Sequence, residues 1–464
     1  MKSAMFKKSI SLSSLLLIMS VVPAWAQYSF EKVIGGREDD RPCGMTQASD
    51  GYFYLYGTYG SYSSFGGNQN YVAKIDHLGN VIWEKTYVNK SVSDQLEDMI
   101  ELPNGNLLFG GIAQEQLQSL NARASIFTKE GQLLFDTLYP QVHPQCGSIQ
   151  SITHNKSTQQ LVTIGGGCLN NDAPGLLFQT LDYNGRRTGY TMLPYPEEFR
   201  TKKIFKLKGQ NNYVVFGKNR SLHLDNVGNL IESPLWAIDT SGGFADEILD
   251  IVQLNDGTFC GLLAPWNISI GSYKLQYFDS LGKFQRIGNL VLKSSVFLRK
   301  LTCTTNKGFF IAGSDFILVD SNEQIVWQKT STQPTQAETV SIGEASDGGF
   351  YGSATDWTKN NSLDPDIYVF KTSEDGVISG IGDYEKAKLS VQISPNPSKG
   401  FIILSGAFSL ADLKVTNLLG QQIFTSQKIA PNTEIDIKTL NDGIYFISVS
   451  SQKASYVQKI IIAK

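Results

Sequence analysis

Residues 71–87, YVAKIDHLGNVIWEKTY, carry the pattern that decides the fold. An apolar strand pattern leads into an Asp-x-x-Gly turn, and a second strand pattern containing Trp83 follows it. Asp in such a turn accepts local backbone hydrogen bonds, and Gly adopts the positive φ that the turn requires. The segment therefore predicts two antiparallel strands joined by a tight turn, rather than a calcium- or phosphate-binding loop.

The same turn recurs along the chain. The turn occurs seven times, at intervals of 41 to 54 residues. Its last residue is Gly79, Gly131, Gly185, Gly228, Gly282, Glu323 or Gly376. An earlier hairpin turn precedes it in most copies, as at Asp50–Gly51. One four-stranded sheet cannot bury both of its faces, whereas copies stacked around a ring bury each other. The repeat predicts an all-β protein, with a seven-bladed β-propeller over residues 27–380.

The first and last copies are offset in a way that suggests how the ring closes. The last copy lacks the Trp-x-Lys strand that is present at 83–85 and 327–329. Residues 30–33, ahead of the first copy, carry a similar pattern. We therefore predict that an N-terminal strand completes the last blade. Because Trp83 and Trp327 occupy matching positions, we interpret them as packing residues rather than ligand contacts.

These repeats resemble those of secreted β-propeller proteins of Bacteroidetes. The resemblance covers roughly residues 28 to 380. It implies the propeller architecture and no particular activity, because one fold supports many functions.

Composition supports a folded β-protein and excludes some partners. The 464 residues are 41% hydrophobic and 11% aromatic, which is enough for a core. The 40 Lys and Arg nearly balance the 43 Asp and Glu, so no basic surface for nucleic acid is indicated. The four histidines lack metal-site spacing, and no nucleophile or phosphate-loop motif is present. The sequence therefore indicates no cofactor, metal or catalytic residue.

The first 26 residues have the pattern of a secretory signal peptide. Three lysines precede the apolar run 12–22, and small residues then fit a signal peptidase site. We predict cleavage between Ala26 and Gln27. No later run is long and apolar enough to predict a membrane-spanning segment.

The sequence predicts that the C-terminal residues form a separate domain. After a linker at 381–388, seven short strand patterns in 389–464 predict a small immunoglobulin-like β-sandwich. The segment resembles the type A C-terminal sorting domain of the type IX secretion system, on Pro395, Asn396, Pro397, Gly400, Gly420, Gly443, Tyr445 and Lys464. The resemblance implies handling by the type IX machinery and a secreted or cell-surface location. It also implies either release or attachment to surface lipopolysaccharide.

The five cysteines allow one specific pairing. Cys146 and Cys168 lie at equal distances from Ser157, which is in the first hairpin turn of the third copy. Antiparallel strands place such positions opposite each other, so we predict a disulfide between them. The odd count leaves at least one free thiol.

Ligand binding is expected on the propeller face that carries the longer loops. Aromatic and acidic residues of these loops form what we call the predicted rim, namely Tyr59, Tyr62, Trp266, Asp356, Trp357, Asp364 and Asp366. Exposed aromatic rings beside carboxylates suit the apolar faces and hydroxyls of sugars. A second interpretation is that these rings only hold the long loops in place.

Three function classes remain open on the sequence. The first is a non-catalytic binding or adhesion module with a carbohydrate or protein ligand. The second is a carbohydrate-active hydrolase or lyase that uses the rim carboxylates, and the third is a scaffold for a neighbouring surface assembly. Converging, desolvated carboxyls would favour the enzyme, whereas an aromatic rim with ordinary acids would favour the binding module.

Overall fold

The computed structural model describes residues 28–35, 39–60, 69–87, 93–116, 119–139, 147–168, 174–194, 201–217, 220–233, 247–264, 272–293, 297–306, 308–330, 338–357, 365–378, 391–406, 410–417, 422–451 and 454–464. Every regular element in these residues is a β-strand, which confirms the all-β class. Within them, no helix has the length and apolarity needed to cross a bilayer. The predicted signal cleavage site and the linker at 381–388 lie outside the described residues, so both stay predictions.

The chain divides into two compact units, with a boundary between Ile378 and Ser379. Residues Phe30–Lys32 group with the second unit in this division, although their strand belongs to a sheet of the first.

The strands of the first unit are short and follow one another without other regular elements. They are β1 (Phe30–Ile34), β2 (Asp40–Gln47), β3 (Phe53–Tyr59), β4 (Gln69–Ile75), β5 (Val81–Tyr87), β6 (Ser93–Glu101), β7 (Leu107–Gln116), β8 (Ser119–Phe127), β9 (Leu133–Tyr139), β10 (Ser151–Asn155), β11 (Gln160–Cys168), β12 (Pro174–Leu181), β13 (Arg187–Pro194), β14 (Lys203–Lys206), β15 (Tyr213–Phe216), β16 (Ser221–Leu224), β17 (Leu230–Glu232), β18 (Glu247–Gln253), β19 (Phe259–Ala264), β20 (Ser272–Phe278), β21 (Phe284–Lys293), β22 (Leu298–Cys303), β23 (Phe309–Gly313), β24 (Asp315–Val319), β25 (Ile325–Thr330), β26 (Glu338–Glu344), β27 (Phe350–Asp356) and β28 (Asp366–Lys371).

In the described residues these strands form seven four-stranded sheets, which are the blades of a β-propeller. Six sheets pair four consecutive strands in chain order, from β2-β3-β4-β5 to β22-β23-β24-β25. The last sheet has the order β26-β27-β28-β1, so the predicted N-terminal strand does complete it. The first and last blades are joined directly, because the backbone N–H of Met45 donates to Ser341 Oγ over 2.8 Å.

The second turn of each repeat packs against the preceding blade. Gly131 and Gly376 have φ of 82° and 74°. A Cβ at these positions would lie 3.0 Å from Trp83 and 2.5 Å from Trp327, respectively. Each indole Nε1 donates to a carbonyl two residues before the glycine, at 3.1 Å to Lys129 and 3.2 Å to Glu374. The interpretation of the two tryptophans as packing residues is confirmed.

Glu323 stands where the other six second turns have glycine. It adopts φ of 64°, which is costly for a residue with a side chain. Its buried carboxylate accepts hydrogen bonds from Arg286 Nη1 at 2.8 Å and from the Leu290 backbone N–H at 3.1 Å, both in the preceding blade. Here the side chain makes the contact between blades that the glycines make by close approach.

The aspartates of the second turns accept local backbone hydrogen bonds, as predicted. Asp76 Oδ1 accepts from the N–H groups of Leu78 and Asn80, both at 2.8 Å. Equivalent bonds form at Asp182, Asp225, Asp279 and Asp320. Turn geometry accounts for these carboxylates, so the calcium-loop interpretation is not needed.

The first strands of neighbouring blades are linked by hydrogen bonds that the sequence did not predict. Most of these strands contain a β-bulge. In β6, β18 and β26 the side chain after the bulge accepts from a backbone N–H of the next blade, and in β10, which has no bulge, Ser151 does so. The pairs are Asp98 with Ile152 (2.7 Å), Ser151 with Ile204 (3.3 Å), Asp250 with Leu301 (3.0 Å) and Ser341 with Met45 (2.8 Å). These bonds place the first strands next to one another around the axis.

The second unit is a small β-sandwich, and all seven of its predicted strands are present. They are β29 (Val391–Ser394), β30 (Phe401–Gly406), β31 (Ala411–Thr416), β32 (Gln422–Ile429), β33 (Thr433–Asp436), β34 (Gly443–Ser451) and β35 (Ala454–Ile462). The sheets β29-β30-β33 and β32-β31-β34-β35 share one apolar core, which includes Ile402, Val415 and Ile447.

The predicted disulfide is tested only indirectly. Cys168 ends β11, whereas Cys146 lies outside the described residues. An antiparallel bridge between Gly147 and Gly167 joins the residues next to the two cysteines. This bridge favours the pairing, which stays a prediction.

Gly376 and Gly209 provide a matched test of the contact between blades. Their φ angles are 74° and 73°, but a Cβ at Gly209 would meet nothing within 4 Å. Gly209→Ala should therefore cost only backbone strain, about 1–2 kcal/mol. Gly376→Ala should lower the free energy of unfolding by a further ~1–3 kcal/mol in urea denaturation, because Trp327 must move. Equal losses would contradict the packing role.

Alkylation tests the disulfide. Cys43, Cys260 and Cys303 are free thiols. We expect mass spectrometry of the denatured, unreduced mature protein to show three alkylated cysteines, and five after reduction, because a disulfide does not react with the reagent. Five alkylated cysteines without reduction would show that Cys146 and Cys168 are not paired.

Candidate functional site

Much of the predicted rim lies outside the described residues. This applies to Tyr62, Trp266 and Asp364, whose proposed role stays a prediction. Tyr59 is described, and only 5% of it is exposed. Its ring stacks on Tyr71 with centroids 4.9 Å apart. The expectation of an exposed ring at Tyr59 is wrong, because that ring packs inside the first blade.

Asp356 and Asp366 do not stand on an exposed loop. Asp356 ends β27 and Asp366 begins β28, and the two residues are directly opposite in the strand register. They are 3% and 1% exposed. A Cβ at Gly35 would come within 1.8 Å of Asp366 Oδ1, so the backbone there lies against this carboxylate. The strands extend further than the sequence suggested, and they bury both carboxylates in the end of the last blade.

Trp357 is the described rim residue that keeps surface exposure. The Arg41 guanidinium lies 4.8 Å from the centroid of its ring, a cation–π distance. Asp39 in turn pairs with Arg41, with Oδ1 and Nε 2.6 Å apart. In the described residues this edge of the first and last blades therefore offers one aromatic ring that is already in contact with a charged group.

A cavity lies on the opposite face, again where the first and last blades meet. Its volume is about 450 Å³, within the range of roughly 300–1,000 Å³ typical of small-molecule sites. Its walls come from the β2–β3 turn, the β4–β5 turn, the β26–β27 turn and the residues ahead of β1. Successive connections of an antiparallel sheet alternate between its two ends, so these short turns face away from the long loops.

Aromatic rings form one side of this cavity. Tyr28 is 43% exposed and its ring contacts His77, with centroids 4.6 Å apart and planes tilted by 59°. Tyr52 contributes a half-buried ring, and Lys74 Nζ lies 4.1 Å from its centroid. One side of the cavity is therefore exposed aromatic surface.

Polar groups line the other side and are largely paired. Lys371 is 2% exposed, and its Nζ donates to Asp347 Oδ2 at 2.7 Å and to the Tyr28 carbonyl at 2.6 Å. The side chain of Gln47 accepts from the Ser346 N–H at 2.7 Å and thereby joins the turns of the two blades. These bonds fix the walls of the cavity.

Asp50 is held ionised at the cavity wall. Burial by itself would raise the pKa of this carboxyl, but hydrogen bonds from Lys74 and Tyr54 outweigh it and leave the pKa below its ordinary value. The Lys74 Nζ and Asp50 Oδ2 atoms are 2.9 Å apart. The carboxylate is therefore a fixed acceptor, not a proton donor.

Sequence reasoning missed this cavity because its residues sit in short hairpin turns. A signal was available: Asp50 and Asp347 belong to equivalent Asp-Gly turns, SDGYF and SDGGF, of the first and last copies. Only ring closure makes these two copies neighbours.

A pair of carboxyls with raised pKa values lies on β6, near the axis. Burial raises the pKa of Glu97 to about 7, and the neighbouring charge of Asp98 adds to the effect. Burial also raises the pKa of Asp98 to about 6, although the N–H of Ile152 opposes this. Both side chains are half-buried.

In the C-terminal unit, the residues of the sorting motif hold the last strand. The Asn396 side chain donates to the Lys459 carbonyl at 2.8 Å and accepts from the Ile461 N–H at 3.0 Å. Pro395 and Pro397 flank it. These bonds fasten the Ser-Pro-Asn-Pro turn to β35.

Other motif residues lie at the end of the same strand. Gly400 has φ of 113°, and a Cβ there would lie 2.7 Å from Lys438 Cγ. Lys464 Nζ donates to the Lys438 carbonyl at 2.7 Å. Tyr445 donates its hydroxyl to the Asn441 carbonyl at 2.9 Å, next to Gly443 where β34 begins. Gly420 lies outside the described residues.

Comparison with known families assigns the C-terminal unit. Residues 392–463 match the family described as the secretion system C-terminal sorting domain. This match confirms the resemblance drawn from the motif and indicates export to a secreted or cell-surface location. No curated protein sequence matches the chain.

Solved structures give weaker likenesses. A protein of unknown function from Bacteroides caccae is 15% identical, with a TM-score of 0.37, and the alignment covers 60% of this chain and 93% of that one. BamB from Moraxella catarrhalis is 10% identical (TM-score 0.42, coverage 73% and 98%). The Pan2 WD40 domain of Neurospora crassa is 10% identical (TM-score 0.44, coverage 76% and 91%). Likenesses this distant carry no argument about function.

Glu97 makes the stability of the propeller depend on pH. Because the pKa of Glu97 is raised, ionisation of this carboxyl disfavours the folded state. The free energy of unfolding should therefore fall as pH rises from about 4.5 to about 7. We expect Glu97→Gln to raise the free energy of unfolding by ~1–3 kcal/mol at pH 8 and to leave it nearly unchanged at pH 4. Thermal or urea unfolding at the two pH values measures this. The exposed Glu130→Gln in the same blade is the control, and an equal effect at both pH values would contradict the burial argument.

Proposed function

We propose that this exported protein, whose residues 392–463 are a member of the C-terminal sorting domain family, uses its propeller as a non-catalytic binding or adhesion module. Its ligand is a carbohydrate or a protein at or outside the cell surface. The sorting domain directs the chain through the type IX machinery, and the propeller is the part that acts after export.

The cavity between the first and last blades is the observation that carries this proposal. It combines about 450 Å³ of space with exposed aromatic rings and with hydrogen-bonding groups already held in place. Pre-ordered sites bind well because little conformational entropy is lost on binding. An aromatic surface beside fixed polar groups is the composition expected of a binding site.

The alternative of a hydrolase or lyase is less well supported. Asp356 and Asp366 are opposite each other in the strand register and are buried inside the last blade. The raised pKa values of Glu97 and Asp98 satisfy one criterion for catalytic acids. Asp98, however, accepts the N–H of Ile152 across the blade junction, which gives it a structural role. A glycosidase needs two carboxyls on opposite sides of the bond that it cleaves, whereas Glu97 and Asp98 are consecutive residues of one strand.

Further steps of export belong to the same proposal. We expect removal of residues 1–26 during transfer to the periplasm, followed by cleavage near the linker at 381–388 or attachment to surface lipopolysaccharide. The separation into two compact units near residue 378 supports a cleavage that leaves the propeller intact.

Binding without turnover is the test. The protein recovered from the culture medium, with its mass determined, is incubated with neutral oligosaccharides and separately with solubilised outer-surface proteins. We expect retention of one ligand class with no change in its mass, because the propeller binds and does not cleave.

Conversion of an oligosaccharide to shorter products would contradict the proposal and favour the enzyme. The matched control is the Glu97→Gln variant. If Glu97 is catalytic, this variant should no longer cleave the oligosaccharide. If Glu97 is not catalytic, the variant should bind the ligand as the wild type does.

A further inference from the structure

We infer that the cavity between the first and last blades is a sugar-binding site, in which a neutral sugar ring lies against Tyr28 and His77. The inference rests on the proposed binding function and names its site and the chemical class of its ligand. It places the site on the face of the short turns, away from the long loops.

The aromatic surface is suited to a flat, partly apolar ligand. The Tyr28 and His77 rings are in contact at 4.6 Å and form one wall, and both residues are exposed. Solvent-exposed aromatic surface of this kind gains free energy when an apolar ligand face covers it. The C–H faces of a pyranose ring supply such a surface, together with hydroxyls at its edge.

The charges of the cavity favour a neutral ligand over a charged one. Asp347 is paired with Lys371 at 2.7 Å, and Asp50 with Lys74 at 2.9 Å. Each carboxylate is therefore neutralised locally. Asp50 also accepts from the Tyr54 hydroxyl at 2.9 Å, and Asp347 from the Gly349 backbone N–H at 3.1 Å, so both carboxylates are held in place. A cationic ligand would have to compete with two lysines for the same carboxylates.

The site also spans the closure of the ring. Tyr28 precedes β1, the strand that completes the last blade, and its carbonyl accepts from the buried Lys371. His77 and Asp50 belong to the first blade. A ligand that touches both sides binds only when β1 is in place, so by linkage it must stabilise the closed ring.

Titration of the full mature protein tests the site. Isothermal titration uses neutral tetrasaccharides of glucose, mannose, galactose and xylose, with a tetragalacturonate as the charged counterpart. We expect one neutral series to bind, and Tyr28→Ala and His77→Ala each to weaken that binding roughly tenfold, because each removes a stacking ring.

Tyr190→Ala is the matched control. Tyr190 is 44% exposed, nearly the same as Tyr28, and it lies on β13 of the third blade, away from the cavity. The Tyr190→Ala variant should bind the neutral tetrasaccharide with the affinity of the wild type. Circular dichroism of each variant shows whether the protein is still folded.

Hydrogen exchange supplies the second measurement. In the wild type, the bound sugar should slow exchange of the β1 and β28 amides, because it stabilises ring closure. Exchange on the outer strand of the third blade should not change. This measurement uses only the wild-type protein, so it does not depend on whether the variants fold.

The outcomes separate the site from the general function. Neutral binding that is unaffected by Tyr28→Ala and His77→Ala overturns the site while leaving the proposed binding function standing. Tighter binding of the charged tetramer overturns the ligand class. If no sugar binds, this inference fails, and the proposed function then depends on the surface-protein part of its own experiment.

Discussion

The structure depends on the contact between the second turn of each blade and the blade before it. A four-stranded sheet is too small to bury its own faces, so each blade is stable only when its neighbours cover them. The glycines of these turns allow a close approach to an aromatic ring, as Gly376 does with Trp327. The indole hydrogen bond to the adjacent carbonyl fixes the direction of approach. Gly185 and Gly228 make similar close approaches, to Phe135 and Phe178, so this packing recurs between other blades.

Closure of the ring follows from the same requirement and creates the cavity that we propose as the binding site. Without β1 the last blade would have only three strands, because β1 is its outermost strand. Pairing of β1 with β28 brings the residues ahead of β1 beside the turns of the first blade. The buried Lys371 fastens this segment through the Tyr28 carbonyl. The ring closure and the proposed ligand site thus share one junction, which is why we expect a ligand there to stabilise the pairing of β1 with β28.

The C-terminal unit performs a separate task with its own core. Its motif residues are explained largely by its fold: Asn396 binds the backbone of the last strand, and Gly400 leaves room for Lys438. A sequence signature for sorting is therefore also a signature for keeping the C-terminal strand in the sheet. The residues that line the cavity proposed as the ligand site all belong to the first unit.

The sequence by itself determined the all-β class, the repeat, the turn residues, the N-terminal strand of the last blade and the sorting domain. These features are local, because turn chemistry and strand alternation are written in consecutive residues. Only the tertiary structure decided which loop residues are exposed: Tyr59, Asp356 and Asp366 are buried, since strand ends and ring contacts are not visible in a pattern. It also decided the cavity. Tyr28 and Asp347 are more than 300 residues apart, and they become neighbours only when the ring closes.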